Sequence, residues 1–171
     1  MLSKNIEIAL NKQIRIEAES SQTYLSMASW AEIHGLEGIA QFMYAQSEEE
    51  RVHMLKLIKF VNERGGRANI SDLKAPVTSY STFKEMFEEL YKHEIFVSDS
   101  INELVHITFS EKDYATHNFL QWYVAEQIEE EEATAKNILD KINMIGDDKS
   151  GLYLFDRDVQ QYITVAPKPI P

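Results

Sequence analysis

The 171-residue sequence predicts an all-α fold: four long helices in a bundle, one long connection between the second and third, and a short fifth helix at the end. Three observations carry this. Glycine and proline number only six and four, and three of the prolines (Pro167, Pro169, Pro171) fall in the tail, so little interrupts a long helix. Apolar residues recur at steps of three and four through four separate stretches. The connection over residues 65–80 far exceeds the ~2–8 residues that usually join neighbouring helices.

The first helix runs from about Ser3 to Ile33 and stops at "HGLEG", where Gly35 and Gly38 break it. The second runs from about Ile39 to Arg64 and stops at "RGGR". At ~1.5 Å per residue it is about 40 Å long. The connection that follows can reach ~53 Å when extended. It can therefore return along the whole bundle and let the second and third helices run parallel, which is the ferritin-like topology. The third helix opens at "STFKE", where Thr82 and Glu85 form a capping box, and continues to about Phe109. A break at "SEKD", without Gly or Pro, precedes the fourth helix, from about Asp113 to Ile145. The segment "LYLFDRDVQQYI" is too apolar for a detached tail and needs a partner surface, either its own bundle or another subunit. The expected organisation is one domain over 1–171: bundle about 3–145, fifth helix about 150–162, tail 163–171.

Composition excludes several classes. Apolar residues make up 44%, enough for a real core. With no cysteine, the chain has no disulfide, zinc ribbon, iron–sulfur cluster or thiol nucleophile, which fits a reducing cytosol. No stretch approaches the ~18 apolar residues of a membrane span, and the first residues are charged too early for a signal peptide. A cytoplasmic protein without a membrane partner is expected. The net charge of −11 disfavours nucleic acid and draws in cations, though it also simply favours solubility.

Polar residues interrupt the apolar faces at comparable depth. Leu10, Ile14, Glu17, Ser21, Tyr24 and Ala28 share one line of the first helix. Ile39, Met43, Gln46, Glu50, His53, Leu57 and Phe60 share one of the second, and Phe83, Phe87, Leu90, Glu94, Val97, Ile101 and Leu104 one of the third. On the fourth, Leu120, Val124, Ile128, Ala135, Ile138 and Ile142 mark the stripe, with Gln127 and Glu130 at its edge and Glu131 on it. Periodicity leaves open which of these carboxylates reaches furthest inward. An unpaired buried carboxylate costs several kcal/mol. Carboxylates gathered in one core repel and take up protons. Divalent cations remove both costs, and oxygen donors with one imidazole suit iron or manganese. A lone E-x-x-H is usually surface decoration; three helices breaking the apolar rule together are not.

These residues resemble the non-haem bacterial ferritins. "EAESSQTYLSMASWAE", "SEEERVHMLKL", the Glu94 helix, "AEQIEEE" and the short fifth helix carry the likeness over nearly the whole chain. The resemblance implies a ferroxidase that oxidises Fe²⁺ with O₂ or H₂O₂ at a diiron centre and stores ferric mineral in a hollow homo-oligomeric shell of 24 subunits. It implies that Glu17, Glu50 and His53 hold one iron, and Glu50, Glu94 and Glu130 the other. Tyr24 and Gln127 lie beside them, Tyr24 as a hydrogen-bonding group that can supply an electron. A third iron would draw on Glu49, Glu126, Glu129 and Glu130; for Glu49 and Glu126 a solvated charge run is an equal alternative.

Departures weigh against neighbouring families. Arg51 stands where a bacterioferritin would place its haem-ligating Met, so no haem is expected. A rubrerythrin would add a cysteine-ligated iron module, and a mini-ferritin would lack the fifth helix. The methionines, Trp30 and Trp122 read as packing residues, and His34, His93, His106 and His117 as exposed or satisfied. Two other functions remain as alternatives: a catalytically silent cage subunit that provides only a mineral-nucleating surface, and a metal-free helical interaction protein.

Overall fold

The computed structural model describes residues 2–128 and 133–163. Regular structure among them is helical: α1 (Lys4–Ile33), α2 (Glu37–Glu63), α3 (Phe83–Ser110), α4 (Tyr114–Glu126), α5 (Ala133–Ile145) and α6 (Lys149–Asp158), which a 3₁₀ turn continues over Val159–Tyr162. With α4 and α5 together as the fourth rod, this is a four-helix bundle with one long crossover and a short C-terminal helix. No helix of the described residues is long and apolar enough to cross a membrane.

Local chemistry sets the helix starts. The Ser3 and Asp113 side chains accept from the backbone N–H groups of Ile6 and Thr116. At α3, Thr82 Oγ1 accepts from Glu85 N at 3.0 Å, while the Glu85 carboxylate reaches one residue further back than a capping box requires, to Ser81 N at 2.6 Å. Gly35 and Gly65, at φ 72° and 78°, turn the chain after α1 and α2. The break between α3 and α4 has no glycine, and Lys112 takes the left-handed conformation itself, at φ 58°.

The crossover climbs α1 from one end to the other. Asn11 binds it at Arg67 and Asn69, the Glu19 carboxylate accepts from Lys74 N, and Ser26 Oγ donates to the Val77 carbonyl. Tyr80 then packs edge-on against Trp30, with ring centroids 5.6 Å apart. Since α1 and α2 are joined by a short turn, this path carries the chain back to the start of α2, so α3 runs parallel to α2. The Arg64–Asp113 ion pair, at 3.2 Å, closes the opposite end.

The core is two apolar blocks with a polar band between them. Tyr24, Met27, Ile39, Phe42, Met43, Phe87 and Ile138 belong to one block, Ile6, Leu10, Ile14, Leu57, Val61, Ile101 and Leu120 to the other. Glu17, Ser21, Gln46, Ser47, Glu50, His53, Glu94, Ser98 and Gln127 are buried as well. All but Ser98, which follows Val97 of the second block, occupy helix positions between the two blocks.

One expectation is corrected. Gly38 does not break a helix: α2 begins at Glu37, and the missing side chain serves packing instead. Leu36 leaves the start of α2 without a side-chain cap, and Asp156 of α6 supplies one, accepting from Ile39 N at 2.9 Å. A Cβ on Gly38 would lie 1.7 Å from the Asp156 carbonyl oxygen. Of the two surfaces left open to the apolar C-terminal segment, its own bundle takes Phe155 and Val159, which are buried, while Tyr153 and Leu154 stay exposed. Gly38→Ala should therefore dislodge α6 at a cost of about 1–3 kcal/mol. Limited proteolysis after α5 checks it: the variant should be cut there well before the parent.

Candidate metal centre

The site begins with two serines. Ser21 Oγ donates to the Ser47 carbonyl and Ser47 Oγ to the Ser21 carbonyl, both at 2.9 Å, which holds α1 close to α2. Glu17 lies one turn before Ser21, and Glu50 and His53 one and two turns after Ser47. All three therefore face the same gap, and they are 1%, 2% and 1% exposed. Each offers a donor atom within 4.8 Å of the others. His53 Nδ1 stands 3.8 Å from Glu17 Oε2 and 3.7 Å from Glu50 Oε2. That is too long for hydrogen bonds. Donors bonded at ~2.1 Å to one ion stand roughly 3–4 Å apart, so the spacing suits a shared cation. Gln13 Nε2 donates to Glu17 Oε1 at 2.8 Å and is itself braced by Ser100. Among the described residues Glu17 Oε2 has no hydrogen-bond partner, and it stays directed at His53.

Aromatic residues of α4 back the histidine. Tyr123 OH donates to the His53 carbonyl at 2.8 Å, and Trp122 presents a perpendicular ring to the imidazole, 5.2 Å between centroids. Burial, and then the charges of Glu17 and Glu50, push the Tyr123 hydroxyl well above its usual range, so it remains a donor. Sequence periodicity did not single out Gln13 or Tyr123. Their signal was a polar group on a core position.

Glu94 is fully buried, and Tyr24 OH donates to its Oε1 at 2.5 Å. It joins no three-donor group among the described residues. Gln127 is buried too and donates to Ser98 Oγ at 3.1 Å, one turn beyond Glu94. Gln127 and Ile128 form a π-helical turn, and Ile128, expected inward, is 60% exposed. The reason is phase. Leu120 to Gln127 and Ala135 to Ile142 are seven-residue steps, two turns each. From Gln127 to Ala135 is eight, one more than two turns, and the π conformation of Gln127 and Ile128 stands at the start of that step. The helix expected from about Asp113 to Ile145 is described as α4 to Glu126, π-helical at Gln127 and Ile128, and α5 from Ala133, with residues 129–132 outside the described residues.

A second group brings Glu49 and Glu126 to His53, again with donor atoms within 4.8 Å of one another. Glu49 and Glu126 are only half-buried, and Gln46 Nε2 donates to Glu49 at 2.8 Å. These are the two residues for which the sequence offered a solvated charge run as an equal alternative. Glu129, Glu130 and Glu131 lie outside the described residues. His34, His93, His106 and His117 join neither group among the described residues. His93 Nε2 pairs with Ser20 Oγ at 2.7 Å, and His34 stacks on Trp30.

A family model described as a ferritin-like domain matches residues 7–145. A probable bacterial non-haem ferritin-like protein of Haemophilus influenzae is 46% identical over 166 residues, covering 97% of this chain and 100% of its own. A bacterial non-haem ferritin of Campylobacter jejuni is 42% identical, covering 94% and 95%. An open-pore ferritin of the archaeon Archaeoglobus fulgidus superposes with a TM-score of 0.91 at 43% identity, covering 94% and 98%.

Proposed function

We infer that this chain, which belongs to the ferritin family, is an iron-storage protein that oxidises Fe²⁺ within its own bundle. The carrying observation is the buried Glu17–Glu50–His53 group, whose donors are spaced for a shared cation rather than for one another. Two carboxylates and an imidazole, without thiolate, favour a hard or borderline ion such as iron.

In this reading Fe²⁺ is the substrate. Glu17, Glu50 and His53 hold one ion, and Glu50, Glu94 and Glu130 a second, with Glu50 between them. Four carboxylates balance two divalent cations, so the band can be filled without a stranded charge. Each Fe²⁺ yields one electron. Two electrons and two protons take O₂ to H₂O₂, and two more of each take H₂O₂ to water. Anionic donors stabilise the ferric product. Tyr24 orients Glu94 and supplies a further electron, and Gln127 holds the α3 side of the site through Ser98. The Glu49–His53–Glu126 group, with Glu129 and Glu130, is an outer station for a third iron. The chain works as one domain in a homo-oligomeric shell of 24 subunits in the cytoplasm, with mineral in the cavity and no haem. Relatives named as ferritins, one with an open-pore architecture, support that assembly.

Anaerobic Fe²⁺ titration tests the proposal. About two tight sites per chain are expected, with protons released as the ligands ionise. Admitting O₂ should then give a transient ferric absorbance. A chain that takes up no Fe²⁺ tightly under these conditions is not a ferroxidase.

A further inference from the structure

Lys56 lies on α2 one turn beyond His53, and its ammonium is held in an aromatic corner. Its Nζ stands 3.2 Å from the Trp122 ring centroid, with Tyr123 and Phe119 at 5.6 and 5.8 Å. The same Trp122 ring meets His53 edge-on. Glu126 follows Trp122 by one turn of α4, and its charge acts on Lys56. Burial lowers the Lys56 pKa to about 8, against the pull of Glu126, so at neutral pH a largely protonated ammonium sits beside the outer Glu49–His53–Glu126 group. That group and the buried group share His53, so an ion held tightly outside engages the ring that the inner group needs.

We propose that Lys56 is a positioning cation that keeps the outer group a weak, transient stop for divalent ions, so that they pass inward instead of lodging there. The proposal rests on the metal reading of the buried group. Its physics is simple. The ammonium balances part of the outer carboxylate charge before any ion arrives, and a divalent ion entering the group is repelled by it. The aromatic faces keep the ammonium from swinging out to solvent, which a free surface lysine would do at little cost. An arginine can take the same place over the indole, with the same charge.

Redox-silent Zn²⁺ provides the test, by calorimetric titration of the full chain and its variants. Lys56→Gln should strengthen the outer binding step by ~tenfold or more, as expected when one nearby unit charge is lost. Lys56→Arg should leave that step as in the parent. Adding Glu126→Gln to Lys56→Gln should cancel the gain, which locates it at this group. A purely structural lysine would give the opposite sign, since losing it would loosen the outer carboxylates and weaken binding. The proposal is overturned if Lys56→Gln and parent titrate alike, if binding weakens, if Lys56→Arg behaves like Lys56→Gln, or if the gain survives Glu126→Gln. Glu17→Gln with Glu50→Gln separates the two ideas. If that pair leaves every Zn²⁺ step unchanged, the buried metal centre itself is wrong, and this inference falls with it.

Discussion

A Glu50→Ala/His53→Ala variant should lose the fast phase of iron oxidation while its helices still assemble. Both side chains point into the same gap as Glu17, and removing them leaves that carboxylate alone on the first side of the site. Loss of a group that merely supports a metal ligand typically costs ~10–100-fold. Two direct donors should cost more, so stopped-flow absorbance after mixing with Fe²⁺ and O₂ should show a rate at least ~100-fold lower. Folding should survive because the apolar blocks on either side are untouched. An unchanged fast phase in this variant would mean that the chemistry happens elsewhere.

Metal loading should raise stability by a comparable margin. Each cation that binds only the folded chain adds about 2.7 kcal/mol at a hundredfold excess over Kd. For a chain of this size each kcal/mol is worth ~2–4 °C, so two filled sites predict roughly 10–20 °C. Differential scanning fluorimetry with and without Co²⁺ reads this directly, and a chelator should reverse it. The gain should shrink on acidification, because every donor must be deprotonated to bind. It should vanish in Glu17→Gln/Glu50→Gln. If the parent and that variant gain equally, the cation is acting at surface carboxylates.

Much of this architecture was legible in the residues. Glu17, Glu50, His53 and Glu94 stood out because each broke an apolar line, and all four are buried. The crossover was readable from its length, since no short hairpin uses sixteen residues. The fourth helix was harder. The apolar stripe put Ile128 inside, while the buried line of α4 through Thr116, Leu120 and Tyr123 runs on to Gln127, and the π conformation begins only there. Nothing in a linear pattern marks where a helix takes in an extra residue. Gly38 misled for a related reason: a glycine near a turn looks like a breaker, while here it admits the Asp156 backbone from a segment 118 positions later. Lys56 was invisible as well, because its setting depends on aromatic residues from another helix.

All three donors of the buried group come from α1 and α2, which a turn of only a few residues joins. That hairpin is synthesised before any of α3. Contacts this local form early in folding. A nascent chain can thus gather the residues proposed for the first ion before the half carrying Glu94 and Gln127 arrives to roof them over. Iron encountered in that interval would meet a half-built, open pocket, so the order of synthesis itself sets when this polypeptide becomes safe to load.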